Sequence, residues 1–177
     1  MTLPIMLNYY ALQIIIQANI MKQENFEQLD VVNFESKTRA FVKIQEGCNN
    51  FCTFCIIPWA RGLMRSQKPE ALVKQIKTLA NTGIKEIVLT GIHTGGYGVD
   101  LDDYTFADLL YAIDEIDGIE RIRISSIEIS QIDDEVIKFL KQSHKIVDHL
   151  HIPIQAASDE ILVSMKRKYT IKEFESS

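Results

Sequence analysis

Apolar and polar residues alternate in four separate segments from residue 40 onward, and a stretch with helical spacing follows each of them. Strands are predicted at residues 41–46, 86–90, 121–127 and 149–154. Helices are predicted at about residues 69–82, 105–117, 132–142 and 158–167. Because successive strands are separated by helices, the pattern predicts an α/β fold with parallel strands and crossover helices.

The helical segments carry their own start and stop signals. Pro69 opens the first helix and Gly83 closes it. Thr105 with Asp108 resembles a capping box for the second, and Ser158 suits the N-cap of the fourth. Thr170 with Glu173 predicts the start of a fifth helix near the end of the chain.

The strands alternate in polarity, whereas strands covered by helices on both faces are apolar throughout. The positions that share one face of each strand are called here one parity. The apolar parity comprises Val42, Ile44, Ile87, Leu89, Ile122, Ile124, Leu150, Ile152 and Ile154. The other is mainly polar and comprises Lys43, Gln45, Glu86, Val88, Thr90, Arg121, Arg123, Ser125, His149, His151, Pro153 and Gln155. Since side chains alternate across a strand, we expect a curved (β/α) barrel with a polar inner wall.

The residues before the first strand form a separate region. Apolar residues at helical spacing predict a helix from Ile5 to Met21, and the polar residues 22–39 read as a linker. The predicted division is therefore residues 1–39, a helix and linker, and residues 40–177, the barrel.

Composition narrows the functional classes. With 177 residues, 46% of them apolar, the chain is long enough for one domain with a substantial core. The net charge of −5 argues against a stand-alone nucleic-acid binder, whose affinity would depend on phosphate neutralisation. Residues 3–20 are apolar-rich, but Asn8 and Gln13 interrupt them and no basic segment precedes them. We expect neither a signal peptide nor a membrane span, and a cytoplasmic protein.

All three cysteines of the chain, Cys48, Cys52 and Cys55, lie in one C-x3-C-x2-C run. This spacing favours a [4Fe–4S] cluster in which three thiolates leave one iron open to a ligand. A zinc site would need a fourth ligand, for which the candidates are His93, His144, His149 and His151. A disulfide would leave one thiol over, and three thiols packed as small apolar side chains remain a further alternative.

The stretch from Phe41 to Gly62, which contains this run, resembles the radical S-adenosylmethionine (SAM) enzymes. Within them it is similar to the methylthiotransferases that modify threonylcarbamoyladenosine beside the tRNA anticodon. Four further segments match in family order, at residues 89–98, 123–128, 149–155 and 165–170.

The resemblance implies a partial radical SAM barrel with about four of six strand–helix units. It implies that Cys48, Cys52 and Cys55 bind a [4Fe–4S] cluster whose open iron chelates SAM, and that the barrel modifies tRNA after an electron donor reduces the cluster. The implied SAM contacts are Phe54, Thr90, Gly91, Ser125, Ser126, Glu128, His151 and Gln155. No side chain is assigned a catalytic role.

The sequence also departs from the family. Ile129 stands where proline is usual, and Gln67 stands where arginine is common. The resemblance also implies an additional domain with three cysteines for an auxiliary cluster and a C-terminal RNA-binding domain, and we expect neither within these 177 residues. We therefore expect an internal piece of such an enzyme, with a zinc-stabilised binding module or an inactive remnant as alternatives. The basic residues Arg61, Arg65, Lys68, Lys166, Arg167 and Lys168 are either solvated or contact RNA phosphates.

Overall fold

The computed structural model describes residues 20–27 and 38–176. Ile20–Lys22 form a short 3-10 turn. The rest of the helix predicted from Ile5, and most of the predicted linker, lie outside the described residues.

Three parallel strands form the centre of the described chain. The described residues contain five strands in all, which are β1 (Arg39–Lys43), β2 (Gln45–Glu46), β3 (Arg65–Ser66), β4 (Glu86–Thr90) and β5 (Arg121–Ile124). The main sheet has the order β1-β4-β5, with Val42 opposite Leu89 and Leu89 opposite Ile124. The two-residue strands β2 and β3 form a separate antiparallel pair, which the sequence pattern did not predict.

Six described helices lie between the strands or after the last of them. They are α1 (Ile57–Arg61), α2 (Pro69–Asn81), α3 (Phe106–Asp114), α4 (Asp134–Gln142), α5 (Asp159–Ser164) and α6 (Ile171–Ser176). Additional 3-10 turns occur at Thr94–Gly96 and Ile129–Gln131. The capping box at Thr105 and Asp108 is confirmed. Ser158 is the N-cap residue of α5, as predicted, but its side chain makes no capping hydrogen bond. Among described residues 20–27 and 38–176, no helix has both the length and the apolar content needed to cross a membrane.

The predicted apolar parity forms the core. Val42, Ile87 and Leu89 are fully buried. They share one cluster with residues of α2, α3 and α4, including Leu72, Ile76, Leu109, Leu110 and Phe139. The sheet is thus covered by helices on one side, as the alternation predicted, and the described chain has the α/β character of a partial barrel.

The opposite parity carries a charged network at the amino ends of the strands. Glu86 of β4, whose side chain is 6% exposed, contacts three arginines on its two neighbouring strands, one on β1 and two on β5. The distances from Glu86 carboxylate oxygens to Nε are 2.6 Å for Arg39, 2.9 Å for Arg121 and 3.3 Å for Arg123. Burial alone would raise the pKa of Glu86, but the hydrogen bonds from the arginines hold that pKa below its ordinary value.

The fourth predicted strand, 149–154, is wrong as a regular strand. The segment before it makes one parallel bridge, between Ile146 and Ile122, and Ile127 N–H donates to the His151 carbonyl at 3.1 Å. Pro153 lacks an N–H group and cannot donate to a ladder, which explains the irregular pairing. Two residues of the predicted apolar parity still face the core, because Leu150 and Ile152 pack against it. His149 and His151 are exposed.

Candidate functional site

The three cysteines lie in a loop beyond the carboxyl end of β1. This cysteine loop, residues 47–56, contains no helix. It turns at Gly47, whose φ is +73° and where a Cβ atom would lie 1.9 Å from the Leu63 carbonyl oxygen. Only glycine fits this position without moving the backbone. The loop conformation is therefore set by a close approach to the segment preceding β3.

The thiols of Cys48, Cys52 and Cys55 are free and partly exposed. Burial raises the pKa of Cys48, and a hydrogen bond from Asn50 N–H to Cys48 Sγ, at 3.5 Å, opposes this rise. Negative charge on Cys52, Cys55 and Glu128 raises the Cys48 pKa further, which places these groups in one electrostatic neighbourhood. In the described part of the chain, no three His, Cys, Asp or Glu side chains are grouped closely enough to hold a single metal ion.

The cysteine loop is attached on two sides. On one side, Cys48 N–H donates to the Gly62 carbonyl at 3.2 Å, and Met64 N–H donates to Asn49 Oδ1 at 2.9 Å. On the other, Thr53 donates from its hydroxyl to the Ser164 carbonyl at 3.0 Å and from its N–H to the Met165 carbonyl at 3.3 Å. The end of α5 therefore supports the loop from across the site.

Arg167 links this support to one thiol. Its Nη1 donates to Cys52 Sγ at 3.3 Å, and its Nη2 lies 2.9 Å from Glu128 Oε2. The side chains of Arg167 and Glu128 are each 6% exposed. Glu128 also accepts from Asn50 Nδ2 at 3.1 Å and from Ser130 Oγ at 3.2 Å. A buried ion pair thus holds the carboxylate next to the cysteine loop.

Two basic residues match neither sequence interpretation, which was a solvated surface side chain or a contact to RNA phosphate. Arg167 is buried in the ion pair with Glu128, and is neither solvated nor open to a phosphate. Arg65 is also buried, with its guanidinium donating to the Leu63 carbonyl at 2.8 Å and lying 3.7 Å from Glu46. Sequence reasoning missed Arg167 and Asn50 as members of the site. The one available signal was the position of Arg167 within the matched segment 165–170.

The predicted SAM contacts fall into three groups. Thr90 and Gly91 end β4, where Thr90 Oγ1 donates to the Val42 carbonyl at 3.2 Å and a Cβ at Gly91 would lie 2.9 Å from Gln45 Oε1. After β5, Ser125 Oγ lies 2.8 Å from Thr94 Oγ1, and Ser126 Oγ lies 2.6 Å from His151 Nδ1. Glu128 belongs to the buried network, whereas Phe54 and Gln155 are exposed.

A cleft of about 540 Å³ adjoins the cysteine loop. It is lined by Asn49, Asn50, Met64, His93, Gly95, Gly96, Val99, Ser130, Gln131, Asp133 and Lys168. Burial lowers the pKa of His93, the Glu128 carboxylate opposes this, and the positive charges of Lys168 and Arg167 lower it further. His93 is therefore neutral at neutral pH.

The donor set fits an iron–sulfur cluster. Three thiols in one loop are soft ligands, which suit iron–sulfur clusters, whereas Mg²⁺ and Ca²⁺ take oxygen ligands. The site also offers hydrogen-bond donors to sulfur, from Asn50 N–H and Arg167 Nη1. Such donors stabilise the charge of metal-bound thiolates.

Comparisons with known proteins agree with this geometry. Residues 42–177 match the radical SAM superfamily. The chain is 63% identical over 158 residues to threonylcarbamoyladenosine tRNA methylthiotransferase MtaB of Bacillus subtilis strain 168, covering 89% of this chain and 35% of that protein. It is 49% identical over 140 residues to tRNA-2-methylthio-N(6)-dimethylallyladenosine synthase of Thermoanaerobacter sp. strain X514, covering 78% and 30%. The chain thus spans about a third of the length of these curated relatives.

Solved structures support the fold. The radical SAM methyltransferase TsrM from Kitasatospora setae, with tryptophan and a SAM analogue bound, superposes with a TM-score of 0.63. The match covers 78% of this chain and 27% of TsrM at 19% sequence identity, so it shows the fold alone. TsrM has also been solved with cobalamin and a [4Fe–4S] cluster. The sequence resemblance is confirmed: the chain belongs to the radical SAM superfamily, whose cofactors are a [4Fe–4S] cluster and SAM.

Proposed function

We propose that this chain is the SAM-cleaving part of a tRNA methylthiotransferase acting on threonylcarbamoyladenosine. The observation that carries the proposal is the cysteine loop at the carboxyl end of parallel strands, in a chain 63% identical to MtaB. Active sites of (β/α) barrels form at that end of the strands. The identity to the dimethylallyladenosine synthase is lower, at 49%, which favours the threonylcarbamoyl substrate.

In this proposal, Cys48, Cys52 and Cys55 hold the cluster. Their thiolates would ligate a [4Fe–4S] cluster, which when bound would supply the electron that cleaves SAM. The alternative of a zinc-stabilised module is not favoured, because the superfamily match covers the cysteine loop.

The protein's own residues position these groups. Arg167 and Asn50 fix Glu128 beside the cysteine loop and donate hydrogen bonds to Cys52 and Cys48 sulfur. The proposed SAM contacts are Phe54, Thr90, Gly91, Ser125, Ser126, Glu128, His151 and Gln155. Thr90, Gly91 and Ser125 are supported by their place at the carboxyl ends of β4 and β5.

The remaining assignments are part of the same proposal. Since MtaB is named as a tRNA methylthiotransferase, we assign tRNA as the substrate of the whole protein, a reducing partner as its electron donor and the cytoplasm as its location. We also divide the chain into residues 1–39, an N-terminal segment, and residues 40–177, the barrel.

The test is anaerobic reconstitution with iron and sulfide, followed by incubation with dithionite and SAM. We expect about four irons per chain, and release of 5′-deoxyadenosine, in the wild type. Cys52→Ala should lose both, whereas Ile56→Ala, at an exposed position of the same loop, keeps all three thiols and serves as the matched control for cluster loading. Zinc bound in place of iron, or no SAM cleavage by a fully loaded wild-type chain, would contradict the proposal.

A further inference from the structure

The cleft beside the cysteine loop has a lining rich in hydrogen-bond donors. Asn49 uses its Oδ1 to accept from Met64 N–H at 2.9 Å. Gln131 uses its Oε1 to accept from Glu128 N–H at 3.2 Å. Within the described residues, neither amide NH2 group has an acceptor. Both amides are therefore oriented so that the groups left for a ligand are donors.

The cleft also contains a positive charge that can pair with an anion. Lys168 is exposed, and no ion pair between described residues involves it. The Glu128 carboxylate is paired with Arg167, and the Asp133 carboxylate, which keeps its charge, is directed by Oδ1 to Val136 N–H at 2.8 Å as the cap of α4. His93 adds no charge at neutral pH. The Lys168 ammonium is thus the positive charge in the lining that is free to pair with an anion.

Two glycines give the cleft its shape. A Cβ at Gly95 would lie 2.7 Å from Gln131 Cβ, and a Cβ at Gly96 would lie 2.6 Å from Met64 Sδ and 2.7 Å from His93 Cδ2. Side chains at either position would displace lining residues. The 3-10 turn Thr94–Gly96 therefore lets Gln131 and His93 pack closely against it within one lining.

We propose that this cleft binds the carboxylate-bearing N6 substituent of the substrate adenosine. Lys168 pairs with the carboxylate, and the amide groups of Asn49 and Gln131 donate to its oxygens or to the neighbouring carbonyl. The inference rests on the proposed function, since it places the substituent next to the cysteine loop. A dimethylallyl group has no acceptor atoms, so it would bury these donors unpaired, which disfavours it.

The test measures binding of two nucleosides to the full chain with its cluster reconstituted. The probes are N6-threonylcarbamoyladenosine and N6-dimethylallyladenosine, observed by NMR or calorimetry. The variants are Lys168→Gln, Gln131→Leu and, as the matched control, Lys166→Gln. Lys166 belongs to the same basic run and is exposed, but it does not line the cleft.

We expect the wild type to prefer the acidic nucleoside, and Lys168→Gln to weaken that binding about tenfold, the effect of losing one charged hydrogen bond. Gln131→Leu should weaken it less, and Lys166→Gln should leave it unchanged. Equal affinity for both nucleosides, no binding of either, or equal losses in Lys168→Gln and Lys166→Gln would overturn the inference. These outcomes are independent of SAM cleavage, so failure of the proposed function itself is recognised separately.

Discussion

Arg167 Nη1 donates a hydrogen bond to Cys52 Sγ at 3.3 Å although the two residues are 115 positions apart. The same guanidinium forms a buried ion pair with Glu128. One side chain therefore connects the end of α5, the cysteine loop and the segment after β5, and its removal should affect all three.

Arg167→Ala is expected to lower the free energy of unfolding by about 3 kcal/mol, because it leaves the Glu128 carboxylate buried without its partner. Denaturant titration by circular dichroism measures this change. The control is Lys166→Ala, an exposed neighbour, for which we expect less than about 0.5 kcal/mol. Equal effects of the two substitutions would show that the ion pair is not what stabilises the loop.

Gly47→Ala is expected to destabilise the protein and to prevent cluster loading, because its Cβ would overlap the Leu63 carbonyl oxygen. Gly83→Ala is a matched control, since Gly83 also has a positive φ, +92°, but nothing lies within 4 Å of the added Cβ. The control should cost about 1 kcal/mol from backbone strain alone. Iron content after reconstitution and the unfolding midpoint measure both variants, and normal iron loading in Gly47→Ala would refute the expectation.

The network around Glu86 predicts a pH dependence. Because the folded-state pKa of Glu86 lies below its ordinary value of 4.5, its contribution to stability is present above pH 4.5. It is lost as the pH falls from 4.5 through the lowered pKa. The unfolding free energy of wild type relative to Glu86→Gln should therefore shrink on acidification over this range.

Glu120→Gln provides the comparison for this experiment, because Glu120 pairs with Lys85 on the surface and is 57% exposed. Its substitution should leave the acid-induced loss of stability as in the wild type. If Glu86→Gln and wild type lose stability in parallel between pH 7 and pH 3, the arginine network does not set the pH dependence.

The 177-residue chain, tested alone with its cluster reconstituted, is expected to form no methylthiolated adenosine in tRNA. All three of its cysteines are assigned to the SAM site, and the resemblance implies a second cluster with thiolates of its own. Mass spectrometry of nucleosides after incubation with reductant, SAM and tRNA tests this. Product above that of a Cys52→Ala control would refute it.

Local patterns predicted the elements that depend on local interactions. The strand at 86–90 and the helix starting at Pro69 have sharp boundaries in sequence, and the structure agrees with both. The cysteine run was identified from spacing alone. Its loop placement after a strand also agrees.

Features that depend on contacts between residues far apart in the sequence could not be predicted from the local pattern. Arg167 lies in a run of three basic residues, which is typical of a solvated surface, and only the approach of Glu128 and Cys52 explains its burial. Segment 149–154 alternates like a strand, yet Pro153 limits its pairing to isolated hydrogen bonds. Pairing is decided by the neighbouring strand as well as by the pattern.

The hydrogen bond from Thr53 to Ser164 determines when, during synthesis, the cysteine loop can take its final form. The two residues are 111 positions apart, so the ribosome adds Ser164 long after the cysteines. At about 5–20 residues per second, that interval is on the order of ten seconds. During it the three thiols have left the peptidyl transferase centre without their C-terminal support. The loop can therefore reach its final form only after Ser164 has been synthesised, and we expect stable cluster insertion only after that point.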